Sequence, residues 1–386
     1  MSLIKFSYSE FEGQATHWSF SNATFSDINL IVGKNASGKS RLLAVINSFA
    51  QLLAGKRVVP FESCDFNVLI NLNGEIFSYE LTFRDSKINS EILKVDSKDK
   101  LTRKNDGSGK IFYENEDKFL NFKIPNDALA TVNRRDEIQH PFLMELNKWA
   151  NSAVVYLFGS DFGRSAILGM PEAEVFLNKS KAVIFDDPSN LVKVYSSALT
   201  EYGEDFDKSI ISDMNQLGYS LSGVGCENLQ FSVNFPIAAL GVFVVEKDLD
   251  FHNFQIHMSQ GMFRALALII HLNLCSFSHN KQVVIIDDIG EGLDYTRSVA
   301  IIELLIAKAE ENHFQLIMTT NDRFVMNKVP LEYWSVPLEY WSVLKRKGGE
   351  VSLYNSKNSK EKFDEFKYVG LNNFDFFASN FLEVSN

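Results

Sequence analysis

The segment from Ile28 to Ser40 has the residue types and spacing of a phosphate-binding loop, because an apolar run leads directly into Gly-x-x-x-x-Gly-Lys-Ser. Glycines let backbone N–H groups turn toward phosphate oxygens, and the helix that follows presents its positive N-terminus to them. Lys39 is expected to reach the outer phosphates, and the Ser40 hydroxyl is expected to bind Mg²⁺. The residues predicted to bind the nucleotide are Gly33, Lys34, Asn35, Ala36, Ser37, Gly38, Lys39 and Ser40.

Two carboxylates end an apolar run much farther along the chain. The residues from Val283 to Ile286 are all apolar, and Asp287 and Asp288 follow them directly. A buried strand of this kind is typical of proteins that deliver an acid to a bound Mg²⁺. Many apolar runs end in Asp, so this pattern gains its meaning from the phosphate loop upstream. We interpret Asp287 as a second Mg²⁺ ligand.

A small polar turn, Ser259-Gln260-Gly261, opens a long amphipathic helix ahead of the carboxylate strand. By itself such a turn is explained equally well as an ordinary helix N-cap. Its place in the order of motifs, between the phosphate loop and the paired carboxylates, favours a functional role. A helix N-terminus is also a general binding site for anions, including phosphate.

The elements that must position these motifs are predicted from hydrophobic periodicity. Short strands and the phosphate loop lead into a helix from Lys39 to about Ala54, and alternating segments up to about residue 123 indicate an antiparallel sheet. Helices are expected between about 137 and 225, and strands alternating with helices from about 228 to 346 indicate a parallel sheet. The short strands are expected at Leu3–Tyr8, Thr16–Phe20 and Ile28–Val32, and helices at Glu137–Ser152 and Asn190–Leu217.

This pattern predicts an α/β protein with four consecutive regions. They are a nucleotide-binding lobe with an antiparallel sheet at 1–136, a compact helical lobe at 137–227, a region with the polar turn and the carboxylate strand at 228–346, and a C-terminal extension at 347–386. The extension is expected to hold a strand, a charged helix near Ser359 to Phe366 and an aromatic end.

The composition limits the classes of function. A chain of 386 residues with 45% hydrophobic content can bury a large core. With 38 basic and 49 acidic residues its net charge is −11, so the surface as a whole repels the phosphates of nucleic acids and lipids. The longest apolar run, around Phe235 to Val245, is too short to span a bilayer, and the three cysteines have no zinc or disulfide spacing. We therefore expect a cytoplasmic protein with reduced thiols and no membrane partner.

Two further features leave alternatives open. The segment from Ser97 to Lys110 carries five basic residues around two glycines, and it is explained either by an exposed hairpin loop or by a DNA contact. The heptapeptide from Pro330 to Val336 recurs at once from Pro337 to Val343. This tandem copy is either a tolerated insertion in a surface loop or a length-variable switch near the nucleotide site.

The order of these motifs resembles that of ATP-binding-cassette ATPases, and the resemblance covers most of residues 1 to 345. It implies an ABC-ATPase head that binds ATP and Mg²⁺ and forms a homodimer, or a higher even oligomer, through ATP-bridged heads. In such proteins the signature turn of one head covers the ATP of the other. By that resemblance Ser259, Gln260 and Gly261 bind the ATP held by a second copy, and Glu291 lies in the loop that crosses the dimer seam.

The chain departs from the common pattern of these ATPases at two positions. Asp288 stands where a glutamate usually orients the attacking water, and Asn321 stands where a switch histidine usually follows its strand. Asn321 can form a hydrogen bond with a phosphate but cannot carry a proton or a charge. The resemblance therefore implies slow hydrolysis with Asp288, Asn321 and, as the alternative base, Glu291 as the catalytic residues.

Within the superfamily the chain looks more like RecF and the OLD-nuclease-like ATPases, including ATPase subunits of anti-phage systems such as Septu and PARIS. The broad antiparallel region, the Ser-Gln-Gly turn and the aromatic tail carry that resemblance. No acidic Asp-x-Asp cluster on a new sheet follows Asn321, so we expect a separate effector protein, a nuclease or toxin. The alternative is a RecF-like repair ATPase that clamps DNA, and a transporter motor ranks third.

Overall fold

A computed structural model of the chain describes residues 1–33, 36–57, 61–158, 164–169, 190–229, 239–249, 251–278, 282–330, 333–337 and 350–379. The chain forms two compact units. The first comprises Met1–Val154, Lys281–Ile285 and Phe314–Asn386, and the second comprises Val155–Asn280 and Ile286–His313. Each unit combines segments that are distant in sequence, whereas the four predicted regions follow the chain in order. Those four boundaries stay a prediction.

The described part of the chain contains consecutive strands as well as strands that are separated by helices. The strands are β1 (Ser2–Glu10), β2 (Trp18–Thr24), β3 (Ile28–Val32), β4 (Cys64–Leu72), β5 (Glu75–Arg84), β6 (Lys87–Val95), β7 (Lys98–Arg103), β8 (Ser108–Tyr113), β9 (Lys118–Lys123), β10 (Ala153–Leu157), β11 (Leu168–Gly169), β12 (Leu221–Asn228), β13 (Ala239–Glu246), β14 (Asn253–Phe254), β15 (Val283–Asp287), β16 (Gln315–Thr320), β17 (Trp334–Pro337) and β18 (Glu350–Asn355). The helices are α1 (Lys39–Ala54), α2 (Ala130–Asn133), α3 (Pro141–Ser152), α4 (Leu191–Tyr202), α5 (Glu204–Gln216), α6 (Gln260–Phe277), α7 (Tyr295–Asn312), α8 (Arg323–Lys328), α9 (Lys360–Lys367) and α10 (Asn373–Ala378).

The main sheet combines parallel and antiparallel pairing. Its strands lie in the order β10, β15, β16, β3, β17, β18, β2, β1, β4, β5, β6, β7, β8 and β9. β16 and β17 both pair with β3 in parallel, whereas the pairs from β1 through β4 to β9 are antiparallel. This arrangement confirms the predicted α/β fold class, in which a parallel sheet behind the phosphate loop continues into an antiparallel sheet.

Helix α1 packs on this sheet through an aromatic core in the first unit. Its apolar residues recur three or four apart, which places them on one face, and Gly55 ends the helix in a left-handed conformation at φ 78°. The Phe49 ring lies 5.8 Å from Phe6, 5.3 Å from Phe66 and 6.2 Å from Trp149. Helix α1 is therefore a rigid support for the loop that precedes it.

The basic segment from Ser97 to Lys110 is not a loop. β7 and β8 pair across most of it, and the turn between them is closed by the Lys104 N–H donating to the Ser108 carbonyl at 2.8 Å. Arg103 is only 2% exposed and donates to the carbonyls of Ile88 and Pro125. The segment is therefore a hairpin with an exposed turn, as one of the two interpretations expected, but Arg103 is buried and is not part of its exposed basic surface.

The first copy of the repeated heptapeptide contributes a strand rather than a surface loop. Three of the four residues of β17 come from that copy, and Trp334 and Ser335 pair with Leu30 and Ile31 of β3. On its other side β17 pairs with β18 in antiparallel fashion. These residues of the first copy are therefore part of the sheet rather than of a surface loop, and the choice between a tolerated insertion and a switch stays a prediction. Most of the second copy, residues 338–343, lies outside the described residues.

The C-terminal residues contain the predicted strand and charged helix, as β18 and α9, and the aromatic end forms α10. Phe376 of α10 packs against Phe363 and Phe366 of α9, at ring distances of 4.9 and 4.7 Å. The Asn373 side chain donates to the carbonyls of Met326 and Val329 at the end of α8. The C-terminal segment thus holds α8, the helix that follows Asn321.

The second unit contains helices and a small sheet of its own. The sheet runs in the order β11, β13, β12, with β14 on β13, and these three pairs of strands are antiparallel. The sequence pattern predicted that a parallel sheet begins after residue 228. That prediction was wrong for β13 and β14, which belong to this small antiparallel sheet. Asn273 of α6 donates to Asp213 of α5 at 2.7 Å, and Lys308 of α7 forms an ion pair with the same carboxylate at 2.9 Å. This buried network links three helices.

Helix α6 is the one helix among the described residues whose length and composition would suit a membrane span, and 78% of it is buried inside the fold. The three cysteines are free. Burial raises the pKa of the Cys226 thiol to about 11 and that of Cys275 to about 12. Both are therefore thiols rather than reactive thiolates at neutral pH.

Candidate nucleotide-binding site

The phosphate loop lies between β3 and α1 of the first unit, where the sequence predicts it. All five residues of β3 are buried, and α1 begins at Lys39 after Gly38, which adopts φ +93°. Only glycine adopts this left-handed backbone conformation without strain. Lys34 and Asn35 lie outside the described residues. The described part of the loop has the strand-to-helix geometry that phosphate binding requires.

The Lys39 side chain is oriented by two oxygen acceptors. Its Nζ donates to the Gly33 carbonyl at 2.8 Å and to Asn321 Oδ1 at 2.9 Å. Lys39 is 7% exposed, whereas Asn321 is exposed at the end of β16. β16 pairs with β3 in register from Leu316 onward, which brings Asn321 next to the loop. Two residues that are far apart in sequence and both predicted to be functional therefore share one hydrogen bond.

The loop provides donors that fit a phosphate group. Ser37 is 4% exposed, and its hydroxyl has no hydrogen-bond partner among the described residues. Among the described residues no side-chain hydrogen bond caps the N-terminus of α1, and none of the residues in its first turn is acidic, so the positive end of the helix dipole is not neutralised within the helix itself. Burying an unsatisfied hydroxyl is costly unless a ligand satisfies it. These features fit the phosphates of a nucleotide, with Ser40 exposed at the same helix terminus.

An aromatic and charged cluster borders the loop, and the motif did not predict it. The Trp18 ring would lie 3.6 Å from a Cβ atom on Gly38, and the Arg41 guanidinium stands 4.3 Å from the centre of that ring. Arg41 also forms an ion pair with Glu10. Arg41 directly follows Ser40 in the motif. Glu10 and Trp18 are far from it in sequence, and they come together because β1 pairs with β2 at these two residues.

The second unit holds the predicted acids. Asp287 ends β15 and is half-buried, and its carbonyl accepts a hydrogen bond from the Phe158 N–H at 3.0 Å. Asp288 is also half-buried and adopts φ 55°, an uncommon conformation for a residue other than glycine. Such strained positions cluster at functional sites. The backbone therefore turns sharply at Asp288, directly after the strand that presents Asp287.

The polar turn forms the N-terminus of α6 in the same unit. The Ser259 hydroxyl accepts from the Met262 N–H at 3.2 Å, so Ser259 is the N-cap that its position predicts. Ser259 and Gln260 are exposed, and Gly261 is half-buried. A Cβ atom on Gly261 would lie 2.9 Å from the Gly292 carbonyl oxygen. Only glycine fits here, because the turn packs closely on the loop after the carboxylate strand.

That loop is itself well fixed in the second unit. Asp294 caps α7 by accepting from the Arg297 N–H at 3.0 Å, and this hydrogen bond is the main cause that lowers the pKa of Asp294. The Arg297 guanidinium lies 4.3 Å from the centre of the Tyr219 ring. Glu291 is exposed, and its carbonyl accepts from Arg264 at 3.0 Å. The residues predicted to contact a second head are thus brought together on one loop and one turn.

The structure therefore assembles the predicted residues in two groups. In the first unit Lys39 contacts Gly33 and Asn321, with Ser37, Gly38 and Ser40 in the same loop. In the second unit the turn around Gly261 contacts the loop that contains Glu291, and Asp287 and Asp288 precede that loop. Trp18, Glu10, Arg41 and Arg264 were missed, since the signal for each is a contact across strands or helices.

The chain matches one protein family and is similar in fold to solved structures. Residues 28–327 match the family described as "AAA domain, putative AbiEii toxin, Type IV TA system". The chain is similar in fold to a structure described as the SmcHead bound to the C-winged helix domain of ScpA, with 11% identity and a TM-score of 0.53 over 92% of this chain and 97% of that one. An Smc head domain with an extended coiled coil, bound to the C-terminal domain of ScpA derived from Pyrococcus furiosus, gives 12% identity and a TM-score of 0.44 over 95% and 99% of the two chains.

Proposed function

The chain belongs to this family of AAA-domain proteins, and from that premise we propose that it binds ATP with Mg²⁺, hydrolyses it slowly and pairs with a second copy around the nucleotide. The observation that carries the proposal is the Lys39 ammonium group, oriented by the Gly33 carbonyl and Asn321 Oδ1 at the N-terminus of α1. A P-loop ATPase head of the ABC and SMC kind is the fold in which the chain presents these groups.

Each residue of the loop has a separate role in this proposal. Lys39 binds the outer phosphates, and the backbone N–H groups around Gly38 and the Ser37 hydroxyl donate to phosphate oxygens. Ser40 and Asp287 would hold Mg²⁺, which when bound neutralises charge on the phosphates. Lys34, Asn35 and Ala36 complete the proposed nucleotide contacts.

Hydrolysis is proposed to be slow because two residues depart from the usual chemistry. Asp288 is one methylene shorter than glutamate, so its carboxylate reaches less far toward an attacking water. Asn321 holds Lys39 but cannot accept or carry a proton. Both changes act on the hydrolytic step rather than on binding. Glu291, which is exposed on the loop, is the alternative base.

The proposed pairing of two copies is supported by the second group of residues. Ser259, Gln260 and Gly261 form an exposed or half-exposed helix N-terminus that is capable of binding the γ-phosphate of ATP on another copy. A test is the molecular mass in solution with Mg²⁺ and a non-hydrolysable ATP analogue. We expect a dimer for the wild type and a monomer for both Lys39→Ala and Ser259→Arg. A wild type that stays monomeric at tens of micromolar would contradict the pairing.

For the biological role we propose an ATP-gated sensor and scaffold that controls a separate nuclease or toxin in anti-phage defence, in the manner of RecF-like and OLD-like ATPases. The family's description refers to a toxin of a type IV TA system, and the head of similar fold was solved with a domain of another protein bound. The net charge of −11 favours a protein partner over DNA. A pull-down of wild type and Lys39→Ala from the native host, repeated after nuclease treatment, tests this role. A stoichiometric effector that survives the treatment supports it, and recovery of DNA-repair factors alone contradicts it.

The second candidate function is an ATP-dependent DNA clamp. It is favoured by Lys98, Lys104 and Lys110, which stay exposed on the β7–β8 hairpin although Arg103 is buried. If the protein is a clamp, it binds DNA in the presence of ATP. The logarithm of the association constant then falls linearly with the logarithm of the salt concentration. Changing the three lysines to glutamine would then reduce the slope by about 3, at roughly 0.9 per phosphate contact. Binding that ignores these lysines would remove the observation in its favour.

A further inference from the structure

Arg264 is a buried arginine on α6, five residues beyond Ser259, and the proposed chemistry does not use it. It is 7% exposed, and its guanidinium donates from Nη1 to the Glu291 carbonyl at 3.0 Å. Burying a charged group costs free energy unless hydrogen bonds compensate it. An apolar side chain at this position of a core helix would pack without that cost. The arginine therefore points to a role that depends on its hydrogen-bonding group.

The loop that Arg264 contacts depends on its glycines. Gly290 adopts φ 92° and Gly292 adopts φ 79°, conformations that L-residues rarely adopt. A Cβ atom on Gly292 would lie 2.7 Å from Arg264 Nη1, closer than real Cβ contacts allow. The guanidinium thus packs directly against the backbone of the loop at two successive residues, Glu291 and Gly292.

The other side of the loop contacts the polar turn. The Gly292 carbonyl oxygen lies 2.9 Å from the position of a Cβ atom on Gly261, and the Leu293 side chain lies 3.3 Å from it. Gly261 and Arg264 are three residues apart on α6 and therefore lie on one face of the helix. One turn of α6 therefore lies against the loop at two residues. Gly261 packs closely on Gly292, and the Arg264 guanidinium donates to the Glu291 carbonyl.

We propose that Arg264 is a positioning residue that fixes the loop from Glu291 to Asp294 against the turn from Ser259 to Gly261, so that both meet the nucleotide of a second copy as one preformed surface. The proposal rests on the pairing described under the proposed function. In it, Arg264 holds the loop and the turn, which are the two segments that contact the second copy, in a fixed arrangement. Preformed loops bind more tightly because less conformational entropy is lost on association.

The first experiment measures amide hydrogen exchange in wild type, Arg264→Met and Arg264→Lys without nucleotide. Met fills a similar volume without a donor, and Lys keeps one donor and the charge. We expect exchange at 289–294 to rise at least tenfold in Arg264→Met and to recover in part in Arg264→Lys, with α1 unchanged. Unchanged exchange at 289–294 in Arg264→Met would overturn the proposal. A general rise that includes α1 would also overturn it, since it indicates a structural role.

The second experiment measures pairing and binding separately. We expect the concentration for half-maximal ATP-dependent pairing to rise at least tenfold in Arg264→Met and less in Arg264→Lys, while the affinity of each single copy for ATP stays within twofold. A positioning role would be contradicted if Arg264→Met weakened ATP binding by the single copy as much as it weakened pairing. If the wild type itself does not pair, the proposed function fails, and the exchange experiment still decides whether Arg264 fixes the loop.

A double-mutant cycle with Gly292→Ala tests the contact itself. In the wild-type background the added methyl group meets Arg264 Nη1, so the loop or the arginine must move. In the Arg264→Met background the side chain ends two atoms before the position of Nη1, so this obstacle is removed, although the strain of the positive φ remains. We therefore expect the double variant to raise amide exchange at 289–294 by less than the sum of the two single effects, expressed as free energies. Strict additivity would show that the guanidinium does not hold the loop.

Discussion

The Nζ atom of Lys39 donates a hydrogen bond to Asn321 Oδ1 at 2.9 Å. The lysine of the phosphate loop is thereby held by a residue that lies directly after β16. An amide can orient the lysine, but it stays neutral at every pH. In the proposed function, Asn321 stands in place of a switch histidine, so that the chain binds ATP but lacks a group that serves hydrolysis.

The first prediction concerns the charge at this position. Asn321→Ala removes one acceptor from Lys39, and we expect ATP to bind several-fold more weakly. Asn321→Asp keeps an acceptor but adds a negative charge beside the phosphates, so we expect binding to weaken more, by tenfold or more, about 1.4 kcal/mol. Titration calorimetry of both variants with ATP and Mg²⁺ checks the order. Tighter binding by Asn321→Asp than by Asn321→Ala would contradict the account.

The second prediction uses Trp18 as a reporter. Because its ring lies 3.6 Å from where a Cβ atom on Gly38 would be and 4.3 Å from the Arg41 guanidinium, nucleotide binding at the loop is expected to change its fluorescence. We expect a saturable change on addition of ATP that is lost in Trp18→Phe. Lys39→Ala, which keeps Trp18, is the matched control and should show no change. A response that persists in Trp18→Phe would mean that another tryptophan reports binding.

The sequence could predict the centre of the site nearly to the residue. β3 at Ile28–Val32 and α1 at Lys39–Ala54 have the predicted bounds, because a local motif dictates both the buried strand and the glycine turn. The bond between Lys39 and Asn321 was not predicted, since it depends on the register of β16 against β3. Register between distant strands is a property of the whole sheet rather than of a local pattern.

The third prediction concerns the buried arginine of the β7–β8 hairpin. Arg103→Leu leaves the carbonyls of Ile88 and Pro125 without their donor, so we expect the free energy of unfolding to fall by about 2–4 kcal/mol. Lys104→Leu, one residue on and exposed, is the matched control and should change stability by less than about 0.5 kcal/mol. Urea denaturation measures both. Equal effects would contradict the burial of Arg103.

The fourth prediction concerns the repeated heptapeptide. Deletion of either copy yields the same chain, because the two copies are identical. One copy is enough to supply the Trp-Ser-Val residues of β17, so we expect folding and ATP affinity to be retained. Deletion of both copies removes the strand between β3 and β18, and we expect that variant not to fold. If the single deletion abolishes ATP binding, the second copy has a role that β17 does not explain.

Two features could be predicted only in part from the sequence, and the physical cause is the same for both. In the basic segment, the short turn of charged residues at 104–107 resembles a loop, while the burial of Arg103 depends on carbonyls of β6 and of the segment after β9. In the repeat, a proline and a duplication indicate a tolerated insertion, although parallel pairing with β3 makes the first copy part of the sheet. Both features are decided by partners that are distant in sequence.

The proposed binding and slow hydrolysis of ATP are tested by measuring ATP affinity and steady-state turnover on the same purified protein. Lys39→Ala is the comparison. The account predicts saturable binding of ATP with Mg²⁺ that Lys39→Ala abolishes, together with turnover well below the roughly 10 s⁻¹ that is typical of enzymes. The result that would contradict it is turnover at or above that rate by the wild type alone, or ATP affinity that Lys39→Ala leaves unchanged.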